Sequence, residues 1–134
     1  MNVIALRLQP QQDLKVELDR LVQLHSWEAA CVITCVGSLT QAVLRLANQP
    51  DQTVYPGHFE IVSLTGVMSM HGSHYHMAIA DSTGQTWGGH MLQGCLIYTT
   101  AEIVIGVLPH LRFCREYDAA TGYPELSITQ IEHS

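Results

Sequence analysis

The segment from Met70 to Met91, MHGSHYHMAIADSTGQTWGGHM, restricts the fold more than any other part of the chain. Tyr75, Met77 and Ile79 alternate with His74, His76, Ala78 and Ala80, which is the two-residue period of a strand with one packed and one open face. Ser82-Thr83-Gly84 predicts a three-residue hairpin loop, with Gly84 taking the left-handed conformation that closes it. Asp81 then faces Gln85, and counting along the ladder sets His76 opposite His90. A slip of one residue would send His90 to the other face.

In that register His74, His76 and His90 share one patch. Directly opposed residues have Cβ atoms about 4.5–5.5 Å apart, and i, i+2 neighbours on one strand are about 6.5–7 Å apart. Three imidazoles at those spacings can converge on one divalent ion, zinc first among the candidates, leaving a fourth position for water or a small ligand. The competing readings are three ordinary surface or half-buried rings, and a metal-free acid-base site. The other histidines, His25, His58, His71, His110 and His133, read as ordinary.

At 134 residues the chain is expected to be a single domain, 1–134. Hydrophobic residues make up 47% and charged residues only 13%, so some apolar surface is expected to be covered by other subunits. The absence of a long uncharged apolar run and of a signal-like N-terminus predicts a soluble, cytoplasmic protein with no membrane contact. Six Lys and Arg stand against twelve Asp and Glu, a net charge of −6, which opposes broad electrostatic binding to nucleic acid. Arg112 and Arg115 in LRFCRE read as an alternating strand face rather than a phosphate site. Cys31, Cys35, Cys95 and Cys114 lack CxxC spacing and read as reduced, packed thiols rather than zinc ligands.

Along the chain, Asn2 to Leu8 predicts a strand, and Leu14, Leu18, Leu21 and His25 mark one face of an amphipathic helix. Strands are predicted over Ala29 to Val36, Gln41 to Ala47 and Phe59 to Met68, with a turn at Gly37-Ser38-Leu39 and a loop over Asn48 to Gly57. After the histidine hairpin come Gly94 to Tyr98 and Ala101 to Leu108, joined at Thr99-Thr100, and then Leu111 to Tyr117. Asp118 to Pro124 reads as loop, followed by a partly ordered tail. The sum is an α+β fold with a largely antiparallel β-sheet, six to eight strands and one or two packed helices.

Several stretches together resemble one family. LRLQPQQDL, VGSLTQAVLRLA, HFEIVSLTGVM, HYHMAIADSTGQTWGGHM and GCLIYTTAEIVIG occur in the order and spacing of the plant and prokaryote conserved (PPC) domain, covering about residues 4–117 and leaving 118–134 as a tail. The resemblance implies a PPC-like fold assembled as a homotrimer. Prokaryotic members are similar to this chain in carrying HxH followed by GGH, here His74, His76 and His90, and these look like a metal site. In plants the domain follows AT-hook motifs and is taken to mediate oligomerisation and protein contacts. This chain has no Arg-Gly-Arg-Pro core and no basic arm at either end, so minor-groove binding through arginine is unsupported.

Three functions follow as expectations. The first is a trimeric three-histidine metal module of unassigned biological role, with a small ligand or protein partner at the metal and no assigned enzymatic activity. Glu60, Asp81 and Glu102 are the nearest candidates for a general base, and Glu60 is either solvent-facing or paired with Arg45. The second is a DNA-binding or transcription-associated regulatory and oligomerisation domain. The third is a cupin-like metal-dependent enzyme, from which the chain departs because no glutamate follows His76 within a few residues and His90 comes only fourteen residues later.

Overall fold

The alternating patterns resolve into eight strands and one helix among the described residues: β1 (Asn2–Leu8), α1 (Leu14–His25), β2 (Ala30–Arg45), β3 (Gln52–Ser69), β4 (Gly72–Ala80), β5 (Thr86–Met91), β6 (Leu96–Val107), β7 (Leu111–Asp118) and β8 (Tyr123–Gln130). The computed structural model describes residues 1–132; His133 and Ser134 lie outside the described residues. All pairing is antiparallel, in a six-stranded sheet of order β1-β6-β2-β3-β4-β5 and a separate β7-β8 ribbon.

β2 is long enough to serve two parts of the sheet. Its first half pairs with β6 and β3, and after an irregularity between Leu39 and Gln41 its end turns to meet β5, with Leu44 opposite Met91 and Arg45 opposite His90. Strands β2 to β5 therefore close a circuit. Inside it the core is continuous: Leu14, Leu18 and Val22 of the helix belong to the same buried cluster as Tyr75, Met77, Ile79, Met91, Ile97 and Ile105.

The helix is fixed to the sheet at its start and at its middle. Asp13 caps it, its carboxylate accepting from the Val16 and Gly94 amides, which ties the first turn to the start of β6. Six residues on, the Asp19 carboxylate accepts from the Tyr75 hydroxyl at 2.9 Å and the Ser73 hydroxyl at 2.6 Å and pairs with Lys15. The buried Tyr75 phenol, with a pKa pushed up by burial and then by Asp19, is held as a donor. Helix and histidine strand are thus joined through the side chain lying between His74 and His76.

The elements differ from the sequence pattern in four places. Gly37-Ser38-Leu39 is not a turn: β2 runs straight through it, because the missing Cβ of Gly37 admits the β6 backbone, which would otherwise lie 2.4 Å away at the Thr100 carbonyl. Thr99-Thr100 likewise lies within the unbroken β6. The loop expected over Asn48 to Gly57 is shorter, since Gln52 to Gly57 already belongs to β3. Residues Tyr123 to Gln130, expected as loop and tail, form β8, and a second helix is absent among the described residues.

Candidate metal centre

The histidine hairpin forms in the predicted register. The Asp81 amide donates to the Gln85 carbonyl at 2.9 Å, the Gly84 amide donates to the Asp81 carbonyl at 3.0 Å, and Gly84 has φ +83°. His76 lies opposite His90, while on its other side β4 sets His74 opposite Val67 and His76 opposite Thr65. Tyr75, Met77 and Ile79 are all buried, at 2% exposure or less, and their packing holds the alternate residues outward.

The two glycines before His90 bring it into place. A Cβ at Gly89 would stand 2.7 Å from the Arg45 carbonyl oxygen, so only glycine lets β5 lie this close to the end of β2. His90 is thereby wedged between His76 on β4 and Arg45 on β2.

One candidate ligand atom from each of the three rings falls within 4.8 Å of the others, and among the described residues this is the group of histidine, cysteine or carboxylate side chains that comes together in this way. His74 Nε2 and His76 Nε2 are 3.1 Å apart, and the three ring centroids are separated by 4.8, 5.1 and 5.9 Å. Two nitrogens bound tetrahedrally to one zinc ion would lie about 3.3 Å apart. The first pair already has that spacing, and the longest separation needs roughly 1–2 Å of closure, within reach of a ring turning about its own torsions.

Two of the three rings are also biased toward the neutral form that ligates a metal. Desolvation first, then the Arg45 guanidinium and the neighbouring rings, bring the His90 pKa down to about 4. Desolvation, His76 and Arg115 lower that of His74. Both rings are neutral at pH 7, with a lone pair free for an ion. The three residues therefore fit a divalent metal in number and spacing, and His74 and His90 fit it in charge as well.

The carboxylates named as candidate bases do not join them. Asp81 is engaged by the turn, accepting from the Thr83 amide and hydroxyl and from the Gln85 amide, and these donors hold its pKa below the usual carboxylate range. Glu60 is exposed and pairs across the sheet with Ala80, four residues along β4 from His76, or about 13 Å. Glu102 lies on β6 opposite Val36 and Arg7, with β2 and β3 between it and β4. The cysteines are free, and burial pushes the thiols of Cys35 and Cys95 up to about 11.

Sequence reasoning missed two contributors to the surroundings of the trio. Arg45, opposite His90, and Arg115, on β7, both border the recess beside the rings, together with Tyr123 and Glu125 of β8. Arg112, by contrast, is paired with Glu28 at 2.8 Å on the other side of the ribbon. The sequence reads Arg112 and Arg115 as an alternating strand face; three residues apart on β7 they lie on opposite faces and meet different surroundings.

An antiparallel sheet backed by one helix, with a histidine trio on its helix-free face, defines a small β-rich domain of the PPC class. The chain belongs to the Plants and Prokaryotes Conserved (PCC) domain family, which it matches over residues 1–109. It is 49% identical over 131 residues to the "Bifunctional protein GlmU" of Synechococcus sp. (strain JA-2-3B'a(2-13)), covering 98% of this chain but only 21% of that protein. A hypothetical protein from Salmonella cholerae-suis shares 43% identity and a TM-score of 0.94, over 96% of this chain and 94% of that one. Two more distant structures share the fold: a protein from Bacteroides thetaiotaomicron described as a candidate DNA-binding protein (19% identity, TM-score 0.84, covering 94% and 91%), and a metal-containing protein from Archaeoglobus fulgidus (21% identity, TM-score 0.80, covering 95% and 94%).

Proposed function

We propose that this protein is a homotrimeric metal-binding module in which His74, His76 and His90 hold one divalent ion, zinc first among the candidates. The observation that carries this reading is the convergence of three imidazole nitrogens within 4.8 Å on a face where other side chains leave them room. A likeness in fold to a metal-containing protein adds support. When bound, such an ion supplies a Lewis-acidic position open to a ligand. The chain's own residues hold and orient: β4 and β5 fix the rings, and the buried Tyr75, Met77 and Ile79 resist their rotation inward. Glu125, the carboxylate bordering the trio, is outside the converging group and accepts from the Thr121 hydroxyl, so the reading assigns binding and no reaction.

Self-association is supported by the same sheet face. The cross-strand row Val3, Gly106, Cys31, Val67, His74 places the trio on one surface with β1, β6, β2 and β3. Val3, Ile33, Val36 and Val62 on these strands are 48 to 62% exposed, an apolar area suited to burial against further copies of the chain. Elemental analysis of gently purified protein, combined with its mass in solution, tests both parts. One ion per chain in a species of three chains is expected; far less than one ion sinks the metal site, and a monomer sinks the assembly.

DNA association is the second reading, supported by the description of the Bacteroides thetaiotaomicron relative. The net charge of −6 opposes it. At physiological salt no gel retardation is expected, and tight retardation there would reverse the preference. The chain spans about a fifth of the Synechococcus protein, whose activities are not assigned to it.

A further inference from the structure

Six basic side chains serve the whole of this acidic chain, and their placement is uneven. Lys15 is paired with Asp19, Arg20 with Glu17 and Arg112 with Glu28. Arg7 lies on β1, at the far edge of the sheet from the trio. The remaining two, Arg45 and Arg115, come from positions 70 residues apart in sequence and reach the same recess, and among the described residues neither side chain makes an ion pair or hydrogen bond.

The recess holds about 420 Å³ and is bordered by Arg45, His74, His90, Arg115, Tyr123 and Glu125. That volume suits a small molecule. It adjoins a larger depression of about 730 Å³ that contains all three imidazoles and the turn after β2. Arg45 is fixed by strand pairing with His90. Arg115 is laid across Gly72, whose missing Cβ would stand 3.2 Å from the arginine Cγ. Glu125, whose carboxylate accepts from the Thr121 hydroxyl, is the single acid on the border. Two guanidinium groups against one carboxylate leave the recess with excess positive charge before any metal is counted.

We infer that this recess is an oxyanion seat, in which Arg45 and Arg115 hold the carboxylate or phosphate of a small molecule beside the histidine trio. The inference rests on the metal reading for what lies next to the ligand, while the arginine contacts stand without it. Arginine suits the role because its planar fork donates two parallel hydrogen bonds to either oxyanion. Two such forks from different strands select a group that fits between them, which a single surface arginine does not do. A bound anion would also offset the charge that a divalent ion adds to three neutral imidazoles.

The test titrates inorganic phosphate, and acetate in a second arm, into the full chain with and without its metal, following heat on binding and measuring metal content in parallel. At least one anion is expected to bind the loaded chain. Arg45→Gln and Arg115→Gln are each expected to weaken that binding about tenfold or more, with metal per chain and thermal midpoint unchanged. Preference for phosphate assigns a phosphoryl-bearing ligand, and preference for acetate a carboxylate. The seat is overturned if neither anion binds the loaded chain, or if binding is indifferent to both substitutions. Both side chains are unpaired and at least partly exposed, and if one variant were misfolded the other would still decide. A metal-free chain that binds through both arginines keeps the seat and removes the ion; one ion per chain without arginine-dependent binding does the reverse.

Discussion

A His90→Ala chain is expected to hold its metal at least about 100-fold more weakly than the wild type, because loss of groups that merely orient a ligand already costs about 10- to 100-fold. Removal of His90 leaves two rings from one strand and nothing from the opposite side of the hairpin. His74→Ala and His76→Ala are expected to act alike, since each leaves a pair of nitrogens where three converged. His58→Ala is the control: its ring is stacked on Tyr98 at 4.3 Å, outside the group, and its loss should leave metal content unchanged. Competition against a chelator reads all four. Wild-type affinity in the His90 variant would show that any ion is held elsewhere.

The largest effect on stability is expected from Tyr75→Ala. The ring is fully buried, so its loss removes the transfer energy of a large side chain, leaves a cavity, and deprives Asp19 of a donor. Together these should cost about 3–5 kcal/mol, a large part of the total stability of a domain this size. Tyr75→Phe keeps the packing and loses the hydroxyl, and should cost about 1–2 kcal/mol, since Ser73 and Lys15 still serve the Asp19 carboxylate. Denaturant unfolding measures both. A Phe variant as stable as the wild type would mean that the link from strand to helix adds nothing to folding.

The parts of the molecule legible in the sequence are those set by local chemistry. The hairpin register followed from Asp81, Gly84 and the alternation around Tyr75, because turn length and a one-sided core leave a single pairing. The helix followed from the three- and four-residue spacing of Leu14, Leu18, Leu21 and His25. What escaped was decided by distant contacts. Gly37 looks like a turn residue, yet it sits in mid-strand because the backbone of β6, more than 60 residues later, comes up against it. Pro124 made residues 118–124 look like loop, but it lies opposite Tyr117 in a two-stranded ribbon, where each strand has a free edge and a missing amide donor is tolerated.

The candidate site divides along the same line. The trio could be found from spacing within one hairpin. Arg45 and Arg115 could not, since the first arrives through the curl at the end of β2 and the second through the docking of the C-terminal ribbon. That docking depends on the buried Phe113, whose amide donates to the Glu28 carbonyl and whose carbonyl accepts from the buried Ser69 hydroxyl. No short-range pattern announces such a contact.

The ribbon's attachment separates two jobs that a compact site would merge. The three imidazoles and Arg45 stand on the six-stranded sheet, whereas Arg115, Tyr123 and Glu125 stand on the separate β7-β8 ribbon. If the seat and the ion are both present, substitutions on the ribbon are expected to change which guest is admitted while leaving the three imidazoles on their own strands undisturbed.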